Sequence, residues 1–111
     1  MNQLPTIASP KPIRDFLWVA SLSQIELAAH IRRVLDDASR LFGLSVEEMR
    51  GARRTAREVH ARYYVAQRLL DETIITKTRV GKILNRDHTM VIQATTERKR
   101  CMVKAWLEAN R

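Results

Sequence analysis

Asn85-Arg86-Asp87-His88-Thr89-Met90-Val91 is the stretch on which the reading of this chain turns. A cation, a helix cap, an imidazole and a hydroxyl follow one another there and run into an apolar residue. Asp87 suits an N-cap, because its carboxylate can accept a hydrogen bond from a free backbone N–H one turn on. A helix beginning there carries His88, Thr89 and Met90 in its first turn, where side chains and unpaired N–H groups point out of the helix end. Such positions contact base edges and phosphates. The stretch is expected to be the DNA-reading end of a helix-turn-helix spanning Thr78 to Arg100.

The flanks fit that arrangement. Thr78 can cap a short helix bearing Val80, Ile83 and Leu84, with Leu84-Asn85-Arg86 as the turn. Lys77, Arg79, Lys82 and Arg86 give this unit a cationic side. Downstream, Val91 and Ala94 face inward, Thr95 to Arg100 is almost wholly polar, and an apolar stripe resumes at Cys101, Met102, Ala105 and Trp106. Read as one long last helix, the polar gap implies that the helix projects from the core. Its far end then needs another surface, either the N-terminal segment or a second subunit in a homodimer.

Further upstream, serine and threonine mark helix starts. Ser23-Gln24-Ile25-Glu26, Ser45-Val46-Glu47-Glu48 and Thr55-Ala56-Arg57-Glu58 each have capping-box spacing. Behind the first, Leu27, Ile31, Val34, Ala38 and Leu41 repeat at helical intervals, with Leu35 and Phe42 beside them, up to Gly43 in a C′ position. His30 is expected to be solvated or half packed on the other face. The second box opens a short helix with Met49, stopped near Gly51. The third opens a longer one with Val59, Tyr63, Ala66 and Leu70 on one face. Arg53, Arg54 and Arg57 gather at its start, and Arg62 and Arg68 follow. Cations at a helix N-terminus oppose the macrodipole by a few tenths of a kcal/mol each, about the amount a bound phosphate would reverse.

Composition bounds the rest. The 111 residues suffice for one core. Three glycines, three prolines and few aromatics favour helices. The domain is expected over residues 23–111, after a leader at 1–22. All three prolines fall within Met1 to Pro12, and Ile13 to Ala20, with Trp18, is an apolar patch that packs on the core or meets a partner. No run approaches the roughly 18 apolar residues of a membrane span, and a cytoplasmic, nucleoid-associated protein is expected. Cys101, the single cysteine, has no zinc-ligand spacing around it and reads as a semi-buried thiol.

The net charge of +8 is unevenly spread. Residues 1–48 hold five basic against six acidic residues, a balance of −1. Residues 49–104 hold fourteen against five, a balance of +9. A basic half suits a polyanion-binding surface, or a cationic surface kept for solubility. Catalysis has little to stand on. The three histidines are isolated, no nucleophile–base set is spaced suggestively, and Gly81-Lys82 lacks the glycine spacing of a phosphate-cradling loop. No metal, cofactor or nucleotide is expected.

Residues from about 34 to 99 resemble the C-terminal DNA-binding domain of the bacterial replication initiator DnaA. Asn85-Arg86-Asp87-His88-Thr89-Met90-Val91 parallels the family's G-R-D-H-T-T-V, and Val80-Gly81-Lys82-Ile83-Leu84 parallels its I-G-x-x-F helix. Leu41 to Met49 looks like the family's aromatic helix end and following short helix, and Arg53-Arg54-Thr55 like its basic loop. The resemblance implies an all-α, TrpR-like helix-turn-helix domain, here with an extra N-terminal segment and an extended C-terminal helix. It also implies that Arg54 enters the minor groove, Arg62 contacts the major groove, and Asp87, His88 and Thr89 read the bases of a short A·T-containing box. Three departures accompany it: a turn one residue shorter than the usual double glycine, Met90 for the second threonine, and Arg98 at an ordinarily apolar position.

The expected function is sequence-specific binding of double-stranded DNA without ATPase activity, in the control of transcription or replication initiation. The candidate contacts are Arg53, Arg54, Arg57, Arg62, Lys77, Arg79, Lys82, Arg86, Asp87, His88, Thr89 and Met90. Arg62 is expected to be an exposed contact whose loss leaves stability nearly unchanged. The alternative, from another class, is an interaction module that binds a protein partner through Trp18, Trp106 and its apolar ends.

Overall fold

The computed structural model describes residues 24–110, which form six α-helices and no strand among them. The expected leader, the Ile13 to Ala20 patch with Trp18, and the Ser23 cap lie outside the described residues. The all-α class expected from composition holds. No helix among the described residues is long and apolar enough to cross a membrane.

The first helix, α1 (Gln24–Phe42), buries Leu27, Val34, Ala38 and Phe42. Its last turn puts Phe42 inside, not Leu41, which is 51% exposed. Gly43 follows at φ +66°, the left-handed conformation a C′ glycine adopts without penalty. In α2 (Val46–Arg50) the capping box is complete: the Glu48 amide donates to Ser45 Oγ at 3.0 Å, and the Ser45 amide donates to Glu48 Oε1 at 2.8 Å. Leu44 and Met49 flank it in the core, at the spacing of a hydrophobic staple.

The central helix is α3 (Ala56–Glu72), which packs against every other helix. Because it is surrounded, its buried face is wider than the sequence stripe and rolled from it. Ala61, Arg62, Val65, Ala66 and Leu69 are buried, whereas Val59, Tyr63 and Leu70 are only half buried. The third capping box does not form. Thr55 has N-cap backbone angles, but its hydroxyl donates to the Glu58 carboxylate and caps no amide.

The next helix, α4 (Lys77–Leu84), begins two residues earlier than expected. Thr76 is its cap, accepting from the Arg79 amide at 3.1 Å, and Thr78 lies inside the helix. The start at Thr76 places Ile75 and Val80 in staple positions, and both are buried. The turn that follows is a Schellman motif: Arg86 N–H bonds the Gly81 carbonyl at 2.7 Å and Asn85 N–H bonds that of Lys82 at 3.2 Å. Asn85 takes the left-handed position at φ 57°, ψ 46°, which asparagine tolerates better than other side chains. Gly81 makes the tight return possible, since a Cβ there would lie 2.6 Å from the Arg86 carbonyl oxygen.

The expected single last helix is two. The shorter, α5 (His88–Ala94), ends at Thr95, and Thr96 caps α6 (Glu97–Ala109). The polar run is therefore a helix junction. Gln67 of α3 donates to the Ala94 carbonyl at 2.7 Å, and Arg100 grips Asp71 through two bonds of 2.7 and 2.9 Å. These contacts turn α6 back along α3, where Val103 is buried and Trp106 stacks on His60 at 5.0 Å. The apolar end thus packs in part on its own chain, through Val103 and Trp106, while Cys101 and Ala105 stay exposed. Cys101 is exposed, not semi-buried, because Val103 takes the inward position.

Polar groups clamp α1 to α3. Arg68 donates to Asp37 at 2.7 Å, to Glu72 at 2.9 Å and to the Tyr64 hydroxyl at 3.0 Å, and half-buried His30 meets Glu72 at 2.7 Å. The Arg68 bond holds the Asp37 carboxyl below its ordinary value. At Glu72 burial pushes the other way, but the bonds from Arg68 and His30 outweigh it. Carboxyls lowered in the folded state contribute stability that is complete above their unfolded values and is lost as pH falls through the folded ones. Stability to urea should therefore drop as pH is taken from about 5 to about 3, and Arg68→Met should remove part of that drop. Gly81→Ala should cost about 2 kcal/mol in the same unfolding assay, because backbone and not a flexible side chain blocks the added methyl.

Candidate nucleic-acid interface

A buried arginine organises the basic half of the molecule. Arg62, 3% exposed, donates from Nε to the Met49 carbonyl at 2.6 Å, and from one terminal nitrogen to the carbonyls of Gly51 at 3.0 Å and Arg53 at 2.6 Å. These carbonyls lie in the last turn of α2 and the loop beyond it, where no helix amides remain to pair with them. A guanidinium, with five donors in a fixed fork, can satisfy several at once. Burial shifts the Arg62 guanidinium below its ordinary value, nearby Arg86 and Arg54 add to that, and Glu58 opposes it. It stays cationic.

The same loop is tied to the turn between α4 and α5. Arg86 also donates to the Gly51 carbonyl, and to that of Asn85 at 2.8 Å, while Asn85 Nδ2 reaches the Arg50 carbonyl at 3.3 Å. The loop carrying Arg53 and Arg54 is thereby set beside the start of α5. Both arginines are exposed, as is Arg57, which reaches the Gly43 carbonyl at 3.4 Å. Arg53 stands 3.8 Å from the buried Glu58 carboxylate.

Lys77, Arg79 and Lys82 are exposed along α4, with Arg79 and Lys82 one turn apart on the same side. Lys77 sits at the far end of that helix from the turn, about 12 Å away. Asp87, His88 and Thr89 are exposed at the tip of α5, and Met90 is half buried against the core. Asp87 holds N-cap backbone angles without a capping bond to a helix amide. Its carboxylate is engaged instead by the Thr89 hydroxyl and by the His88 ring, with Nδ1 at 3.2 Å, and these hold it below its ordinary value.

One expected contact is corrected. Arg62 is not an exposed cation available to a groove, since its donors are spent on backbone carbonyls inside the fold. It positions the loop that carries the exposed arginines. Sequence reasoning also passed over Arg50, exposed at the end of α2, and Ile92 and Gln93, exposed on the same face of α5 as His88 and Thr89. Helical spacing from Thr89 was the signal for the last two. Compared with protein-family models, curated proteins and solved structures, the chain matches none.

Arg62→Ala should lower unfolding free energy by about 3 kcal/mol, because it strands several part-buried carbonyls. Arg62→Lys should recover little of this, as one ammonium cannot reproduce the fork. Arg54→Ala should stay within about 0.5 kcal/mol of the parent, as measured by denaturant titration of all three.

Proposed function

We propose that this chain binds double-stranded DNA sequence-specifically, with α4, the turn and α5 working as a helix-turn-helix of the DnaA C-terminal type. The tip of α5 enters the major groove and presents His88 and Thr89 to base edges, with Asp87 beside them. Arg54 reaches the adjacent minor groove, and Arg53, Arg57, Lys77, Arg79 and Lys82 meet phosphates. The chain acts without hydrolysing a nucleotide, as a regulator of transcription or of replication initiation in the nucleoid.

The carrying observation is the shared Gly51 carbonyl, which binds both Arg62 and Arg86 and so fixes the arginine loop beside the start of α5. Cations held this close repel one another in the free protein, and Arg86 and Arg54 both weigh on Arg62. A polyanion laid across the loop relieves that repulsion, and a neutral partner does not. The competing reading is a protein-binding module using Trp18, Trp106 and the apolar ends, of which Trp106 is half buried against His60 and Trp18 lies outside the described residues.

Salt separates the two readings. Contacts to about six phosphates give a log–log slope of affinity against salt of about −5. Replacing Lys82 or Arg53 by alanine should reduce the slope by about one each. Affinity for a duplex that is flat in salt would exclude the reading.

A further inference from the structure

Ile92 is 45% exposed on α5. The helix has seven residues, and its inward face is filled by Val91 and Ala94, both fully buried. Successive residues turn by about 100°, so Ile92 falls about 60° from Thr89 and about 40° from His88 on the opposite, outward face. Turning the helix to bury Ile92 would drive Val91 or Ala94 into solvent. The side chain is therefore fixed outward among His88, Thr89 and Gln93, on the helix whose start lies beside the loop of Arg53 and Arg54.

An apolar group in that setting needs an apolar feature on a polyanion. Only one base edge in the major groove supplies it, the 5-methyl of thymine. Thr89, one turn before Ile92 on the same exposed face, carries a second methyl. Three residues along a helix advance about 4.5 Å, close to the roughly 3.4 Å between base pairs. Resting on the DNA-binding reading above, we infer that Ile92 is a specificity-determining residue. Ile92 reads the methyl of a thymine neighbouring the base pair that Thr89 contacts under that reading.

The test begins with selection of preferred duplexes from a random pool by the whole chain. Each thymine of the selected site is then replaced by deoxyuridine, which removes only the methyl. Two neighbouring base pairs should each lose about fourfold in affinity on that replacement, the worth of one buried methyl. Ile92→Ala should abolish the loss at one pair and leave it at the other, and Thr89→Ser should do the converse. Both variants should melt like the parent, because both side chains are exposed. A selected motif whose thymines tolerate deoxyuridine, or an Ile92→Ala protein that keeps both sensitivities, overturns the assignment while leaving DNA binding intact. A parent chain that selects no motif overturns the assignment and the sequence-reading function together.

Discussion

A charged side chain in the interior sets the register of this molecule's basic half. Taking a guanidinium out of water is costly, and the cost is offset only when its donors are filled. Arg62 fills them with the carbonyls that α2 leaves unpaired, so each group meets the other's need. The bond geometry then dictates where the loop after α2 lies relative to α3. Because the Gly51 carbonyl accepts from Arg86 as well, the turn before α5 is held in the same frame. Three segments distant in sequence share one small set of backbone oxygens. An aliphatic residue at position 62 would pack against α2 yet leave the loop without a fixed path.

Much of this architecture was legible because local chemistry reports local structure. Ser45 with Glu48, Gly43 past α1 and Gly51 past α2 are caps whose partners lie within a turn, and each stands where the spacing put it. Thr76 in place of Thr78 shows the limit of that logic. Either threonine can cap, and the choice falls to the burial of Ile75 with Val80, a tertiary fact with a sequence trace in their staple spacing. The junction at Thr95 and Thr96 has a similar trace, two β-branched residues with a cap, inside a polar run that one projecting helix would explain equally well.

Arg62 was not legible at all. Arginine is almost never fully buried unless paired, and its partners here are backbone oxygens nine to thirteen residues away. No side-chain pattern encodes such partners. The same blindness reversed the expected effect of removing it, from lost contact to lost fold. The exposed members of the candidate site fared better, since a cation on a loop or a helix tip is exposed by default. Arg53, Arg54, Arg57 and Lys82 stand in solvent as the sequence implied.

The short turn bears on what α5 can present. The turn is tight because Asn85 supplies the left-handed residue and Gly81 clears the path for the Arg86 carbonyl. The chain thus reverses by a standard helix ending, without strain at a residue that resists positive φ. What remains adjustable is the roll of α5 about its own axis, and Val91 and Ala94 remove that freedom by their burial. Met90, next to them, is drawn half inward, which accounts for an apolar residue at that position of the first turn. With Met90 turned toward the core, the outward arc passes to His88, Thr89, Ile92 and Gln93. The core therefore decides which side chains face outward, and a change at Met90 acts on that face through packing.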